Sequence, residues 1–325
     1  MDKQNYILAS YKIDGKSGTK KLTEPQISKA IKAKNLAWVH LDAESPDTQD
    51  WLHKEISYLD PFIIEALLAE ETRPRITEIG DGALIILRGV NLNKDSSPED
   101  MVSIRMWVDS HRIISLQKRQ LKAIIEIEES IKKGNGPRNS GEFLCDLISK
   151  LFERIEVKLQ ALEEYADDIE EQILDNPDTS CRKHIVTVRK QAIMYKRYMS
   201  PQKDVILSLR NSEIKWLDNN NKRHIQENYD RITRYVEDLD AIRERSQIVK
   251  DELSNILSDK LNKNMYILSV IAAIFLPLGF LTGLLGINVG GIPGVDNPHA
   301  FYIFCGITTI IVTLQIILFK RLKWF

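Results

Sequence analysis

Cysteine is scarce in this chain. Three residues of 325, Cys145, Cys181 and Cys305, stand far apart and form no CxxC pair. That pattern argues against a disulfide framework and against a zinc knuckle. Histidine is equally scattered: His40, His53, His111, His184 and His224 make no HxH or HxxxH pair, so each reads as structural rather than as a ligand. Glycine-rich phosphate loops, nucleophile elbows and metalloprotease helices are all missing, which leaves nothing to support a membrane-tethered enzyme. The net charge is -1, so there is no overall nucleic-acid footprint.

The most informative absence is local. Between Asn264 and Val295 there is not one charged residue, and Ala300 to Phe319 is a second uncharged run. At 1.5 Å rise per residue, about 21 apolar residues cross ~30 Å of hydrocarbon. Both runs are therefore read as transmembrane helices at the C-terminal end of the chain. Lys260 and Lys263 precede the first, Lys320, Arg321 and Lys323 follow the second, and the loop Gly286 to His299 has no Lys or Arg. Positive residues stay on the cytoplasmic side, so both chain ends are expected there. Tyr266, Tyr302 and Trp324 suit interfacial positions. The opening residues MDKQNYILAS hold no apolar targeting segment, so the first span is expected to direct insertion itself.

Residues 1–139 read as a cytoplasmic α/β domain. Strand-like runs are Tyr6–Ile13, Ala37–Leu41, Arg75–Ile79, Ala83–Val90, Val102–Val108 and Arg112–Leu116, with turns at Gly80-Asp81-Gly82 and Asp109-Ser110-His111. Helical patterns cover Pro25–Lys34, Asp47–Ser57, Pro61–Ala69 and Leu121–Lys133.

Long helices follow. Residues 140–220 read as a helical hairpin broken at Asn176-Pro177, with Asp178 or Thr179 capping the second arm, which passes through Pro201. Residues 150–175 hold nine acidic and three basic side chains, and residues 181–203 hold seven basic and no acidic ones. Antiparallel arms would attract, which makes two solvated faces the plain reading; a basic belt and an acidic, cation-accessible tip is the sharper one. Residues 221–263 form a stalk helix continuous with the first span. Its stripe, Ile225, Tyr229, Ile232, Val236, Leu239, Ile242, Ser246, Val249, Leu253 and Ile256, is near-heptad, so it should pack on the hairpin or on copies of itself.

The first span, residues 264–287, carries one face of small or mildly polar residues: Asn262, Met265, Ser269, Ala272, Leu276, Gly279 and Gly283. Such a face suits tight helix packing or a narrow pore, and two spans per chain enclose a pore only as a ring of subunits. At its outer end stands Gly286-Ile287-Asn288, eleven residues beyond Pro277 and opening the external loop 288–299. A lone Gly-x-Asn is by default a helix cap. In this context it resembles the Gly-Met-Asn signature of the CorA family of divalent-cation transporters. Pro277-Leu278-Gly279-Phe280-Leu281-Thr282-Gly283 is similar to the stretch before that signature, and Lys323-Trp324-Phe325 to the family's basic-aromatic end. Glu71-Thr72-Arg73-Pro74-Arg75, Leu87-Arg88, Arg189-Lys190-Gln191, Arg197-Tyr198-Met199, Pro201-Gln202 and Gly290-Gly291-Ile292-Pro293-Gly294 resemble the zinc-transporting branch. The likeness runs along essentially the whole chain. Two departures stand out: Ile287 replaces the signature's Met, as in the zinc branch, and Gly279 stands where many members carry a hydroxyl.

The resemblance implies a funnel-shaped homopentamer in a bacterial inner membrane. The first span of each subunit lines a central pore, the second span covers residues 300–320, and residues 321–325 return to the cytoplasm. It implies transport of divalent cations, Zn2+ first, with proton-coupled uptake among the possibilities and no resident cofactor. Asn288 side chains would ring the outer mouth, where neutral amide oxygens hold a hydrated dication without trapping it. The pore face offers no Asp, Glu, His or Cys, so no tetrahedral zinc site forms there. Asp296 and His299 in the loop would concentrate cations, although lone loop residues are more often simply solvated. Two alternatives stand: a Mg2+/Co2+ channel of the CorA type, and a membrane-anchored sensor or scaffold that passes no ion. Metal binding between cytoplasmic domains is expected to close the pore through the long helix.

Overall fold

The computed structural model describes residues 6–13, 20–33, 36–56, 59–70, 72–287, 292, 294 and 296–321. They divide into two compact units, Met1–Asp251 and Glu252–Phe325.

The first unit begins with a mixed sheet. Its strands are β1 (Ile7–Ile13), β2 (Lys20–Lys21), β3 (Leu36–Asp42), β4 (Arg75–Ile79), β5 (Gly82–Gly89), β6 (Val102–Val108) and β7 (Arg112–Gln117), in the order β2-β1-β3-β7-β6-β5-β4. Neighbours pair antiparallel except β3 with β7, which run parallel with Trp38 opposite Ile113. A parallel pair needs a long crossover, and the segment between them supplies helices and the β4–β5–β6 meander. The two-residue strand β2 is an addition to the sequence reading, because a pair of lysines has no strand pattern.

Both faces of the sheet are covered. The helices α1 (Glu24–Lys32), α2 (Pro46–Glu55) and α3 (Pro61–Leu68) pack on one face, where Ile27, Leu52, Ile63 and Leu67 meet Val39, Leu84, Ile114 and Leu116. Proline opens each within its first two residues, where the missing N–H is unneeded. On the other face lie α4 (Lys122–Lys132) and α5 (Ser140–Asp175), and Phe143 of α5 meets Trp38 at 5.1 Å between ring centroids. Strands buried on both sides read as near-continuous apolar runs, which is the pattern of β5 and β6. Gly82 is fixed by a close approach: a Cβ there would lie 2.3 Å from the Trp107 ring. Gly80 turns the β4–β5 hairpin at φ +61°.

Helix α6 (Cys181–Asn211) returns along α5. Its start differs from the expected cap. Ser180 is the capping position and makes no side-chain cap bond. Asp178 instead accepts from Thr179 N and Ser180 Oγ, while its carbonyl takes the Cys181 N–H at 3.1 Å. These bonds, led by the Ser180 hydroxyl, hold the exposed Asp178 carboxyl below the usual carboxylate range. Pro201 lies inside α6, and the next residue, Gln202, is fully buried. Its Oε1 accepts from Arg88 N at 2.7 Å and its Nε2 donates to Arg88 O at 3.1 Å, so α6 is bonded to strand β5. The Arg88 guanidinium donates to Thr72 O and Met101 O and lies 4.3 Å over the Tyr198 ring. Four residues quoted from separate motifs, Thr72, Arg88, Tyr198 and Gln202, thus share one junction.

Helix α7 (Asn219–Gly286) starts two residues before the expected Asn221, because Asp218 caps it: its carboxylate accepts from Asn221 N at 2.8 Å. Within the first unit the near-heptad stripe is buried at Ile225, Ile232, Val236, Leu239, Ile242, Ser246 and Val249. It packs on the hairpin, where Tyr235 bonds Glu156 at 2.8 Å, Lys196 bonds both Asp240 oxygens at 2.5 Å, and Arg245 meets Asp167 and Glu170. The opposite charges of the two hairpin arms thus share α7 as a counterpart. The second unit holds the end of α7 and helix α8 (Ala300–Arg321), and both helices are long and apolar enough to cross a membrane.

Candidate functional site: the uncovered face of the first span

Within the second unit, α8 shields one side of α7. Val270 is 7% exposed, and Ala273, Ile274, Pro277, Leu278 and Leu281 are half-buried. Phe304, Thr308, Val312, Gln315 and Phe319 form the covered side of α8 at helical spacing. At 100° per residue, the side of α7 facing α8 is centred roughly 140° from the face defined by Asn262, Met265, Ser269, Ala272, Leu276, Gly279 and Gly283. All seven of those residues are exposed, Leu276 at 74% and Met265 at 61%. A Cβ added at Gly279, Gly283 or Gly286 would meet nothing within 4 Å. These glycines are therefore not required for α7 to approach α8, and whatever their small size accommodates lies outside this hairpin.

Polar groups on this helix are mostly self-contained. Ser269 Oγ donates to Met265 O at 2.8 Å, and Thr282 Oγ1 to Leu278 O at 3.0 Å. Hydroxyls bonded back to their own helix add little polarity to its surface. Gly286 closes α7 and Ile287 follows, 49% exposed. Asn288 lies outside the described residues, as do Glu71, Gly290, Gly291, Pro293 and the end from Lys323. Asp296 and His299 are both exposed, and His299 N donates to Asn297 Oδ1 at 2.9 Å just before α8 begins.

The histidines of the first unit are placed apart from one another. His40 is buried, with Nδ1 2.8 Å from Ser115 Oγ, and burial pushes its pKa down to about 4, so the ring is neutral. His111 pairs with Ser110 Oγ, His184 with Tyr165 OH, and His224 lies 3.9 Å from Glu227. His53 is exposed. A cleft in the first unit is lined by Glu142, Cys145, Asp146, Asn221 and His224. Burial pushes the Cys145 thiol up to about 12, which disfavours the thiolate that would bind a metal, and burial also raises the Asp146 carboxyl. Among the described residues no three His, Cys, Asp or Glu side chains converge as a metal site.

The Gln315 amide was not singled out from the sequence. Its Nε2 donates to Ala273 O across the two helices at 3.3 Å. The signal was available: a carboxamide in an otherwise uncharged span needs a partner.

Comparison with known proteins matches this architecture. Residues 33–321 match the family model described as "CorA-like Mg2+ transporter protein". "Zinc transport protein ZntB" of Pectobacterium carotovorum subsp. carotovorum (strain PC1) is 36% identical over 315 residues, 97% of this chain and 95% of that one. "Divalent cation transporter CmaX" of Pseudomonas aeruginosa PAO1 is 35% identical over 321 residues, 98% of this chain and 96% of that one. The solved structure of full-length CmaX superposes with a TM-score of 0.85 at 34% identity, covering 98% of both chains. An α/β domain, long helices and two C-terminal candidate spans, matched in sequence from end to end, make this chain a member of the CorA-like Mg2+ transporter protein family.

Proposed function

We propose that this chain carries divalent metal cations, Zn2+ foremost, across a bacterial inner membrane as one subunit of a homopentamer whose first spans line a central pore. The observation that carries the proposal is the uncovered face of α7. Met265, Ser269, Ala272, Leu276, Gly279 and Gly283 stand exposed on the side turned away from α8. A face of glycine, alanine and serine suits close approach to neighbouring copies around a narrow path. A zinc transporter and a divalent cation transporter are among its relatives, which favours a metal cargo. Both chain ends are assigned to the cytoplasm from the flanking Lys and Arg. In this scheme residues 1–139, 140–220 and 221–263 form the cytoplasmic part, 264–287 and 300–320 span the bilayer, 288–299 form the outer loop, and 321–325 end inside.

Gly286-Ile287-Asn288 is the selectivity element in this reading. Amide oxygens of Asn288 would meet a hydrated dication, whose shell neutral ligands replace only in part. Asp296 and His299 raise the local cation concentration. Because the α7 face carries no carboxylate, imidazole or thiolate, the ion passes with water rather than through a tetrahedral site. Zinc flux into liposomes containing the purified chain tests this. Flux is expected in wild type and should fall to background in Asn288→Ala. Equal flux in the two, or none in either, would overturn it. A Mg2+/Co2+ channel is the second reading, favoured by the description of the matching family model. In that case Mg2+ competes with zinc in the same assay.

A further inference from the structure

Pro277 lies inside α7, in the first span. Proline has no N–H, so the carbonyl four residues earlier, on Ala273, loses its helical donor, and the ring crowds that oxygen. In hydrocarbon such a group has no water to turn to, and leaving it unpaired is costly. Gln315 of α8 meets this need, with Nε2 donating to Ala273 O at 3.3 Å. The hydroxyls of Thr308, Thr309 and Thr313 on the same helix all bond back to carbonyls of α8 itself. Gln315 thus supplies, from the neighbouring helix, the bond that Pro277 removed. Its Oε1 is buried and has no hydrogen-bond partner among the described residues, so the amide is held through its nitrogen alone.

We propose that Gln315 is a positioning residue for transport: through Ala273 O it latches the proline hinge of the pore-lining helix and sets the course of the segment beyond it, which carries Gly279, Gly283 and Gly286. The flux part of this proposal rests on the transport reading above. The hinge part stands on the helix pair alone. Without the Gln315 donor, Ala273 O is free to leave the helical position, and the segment after Pro277 loses a fixed bearing on α8. Ions are not touched by Gln315, so the latch acts on passage rate rather than on metal recognition.

A double-mutant cycle in the full chain, reconstituted in lipid, tests both parts. Gln315→Met keeps the side-chain length and removes the donor. Pro277→Ala restores the N–H, which makes the latch redundant. Interhelical hydrogen bonds in membranes lead us to expect a loss of maximal zinc flux of about threefold to twentyfold in Gln315→Met, with half-saturating zinc unchanged. In the Pro277→Ala background the same change should lower flux by less than about twofold, within the ordinary error of additivity. Hydrogen exchange of the peptide covering 274–286 is read in parallel. It should quicken in Gln315→Met when Pro277 is present and stay unchanged when it is not. Equal effects of Gln315→Met on exchange in both backgrounds would overturn the latch, whether or not zinc flux is detected. Absent wild-type flux with the expected exchange pattern would refute the transport reading and leave the hinge standing.

Discussion

Replacing Gln202 by leucine removes both hydrogen bonds that fasten α6 to the sheet. Gln202 is fully buried, and its carboxamide pairs with the backbone N–H and C=O of Arg88 at 2.7 and 3.1 Å. Leucine fills nearly the same volume, so little cavity forms. Two backbone groups at the end of β5 instead lose their partners. A buried unsatisfied group costs about 1–3 kcal/mol, so the pair predicts a loss of about 2–6 kcal/mol. Urea unfolding of the full chain in detergent, followed by the fluorescence of the buried Trp38, Trp51 and Trp107, reads this directly. With a slope of about 1–3 kcal/mol per molar urea, the midpoint should fall by about 1 M or more. Gln172→Leu, on the exposed side of the hairpin, is the control and should leave the midpoint within about 0.3 M. Equal midpoints for wild type and Gln202→Leu would refute the reasoning, because the junction would then carry no stability of its own.

Three further outcomes follow from the geometry. The His40 pKa is lowered to about 4 by burial, so the unfolded chain takes up a proton below pH 6.5 that the folded domain refuses. Its contribution, about 3 kcal/mol at most, is present above pH 6.5 and lost as pH falls toward 4; His40→Gln should flatten that part of the stability-pH curve, and unchanged curvature would refute it. Gly82→Ala forces a Cβ against Trp107 and should cost about 1–3 kcal/mol in thermal or urea unfolding, whereas Gly80→Ala meets open space and should cost about 1–2 kcal/mol from its positive φ alone. Raising salt should weaken the ion pairs of Arg245 with Asp167 and Glu170 only slightly, since all three side chains are partly exposed, and a fall of more than about 1 kcal/mol between low and high salt would contradict that placement.

Much of the fold was legible because single-residue periodicity carries it. The strand Val102–Val108 and the strand Arg75–Ile79 fall where strand-like runs bounded by turn residues put them. The strip from Ile225 to Val249 is buried at every position but the half-buried Tyr229. Strand order was not legible, since β3 pairs with β7 across about 75 intervening positions and no local pattern records the partner. The starts of α6 and α7 were not legible for a related reason. At Asp178 and at Asp218 several side chains offer caps, and the choice depends on backbone bonds that form only in the folded turn. The stripe of small residues from Met265 to Gly283 was legible in the sequence, yet only the position of α8 reveals that it is left uncovered. Gln315 illustrates the remaining gap: the sequence announces that Pro277 frees Ala273 O, but not which distant side chain answers it.

The parallel pairing of β3 with β7 also sets an order of events during synthesis. The sheet cannot close until Gln117 has been made, yet it is then complete well before the first span begins at Asn264. At bacterial elongation rates of about 5–20 residues per second, the intervening stretch takes roughly 7–30 s. That is ample time for a domain to fold on the ribosome. The nascent chain therefore carries a finished sheet before its first candidate span is made. Insertion of the two candidate spans has to work with a folded load already hanging from the exit tunnel.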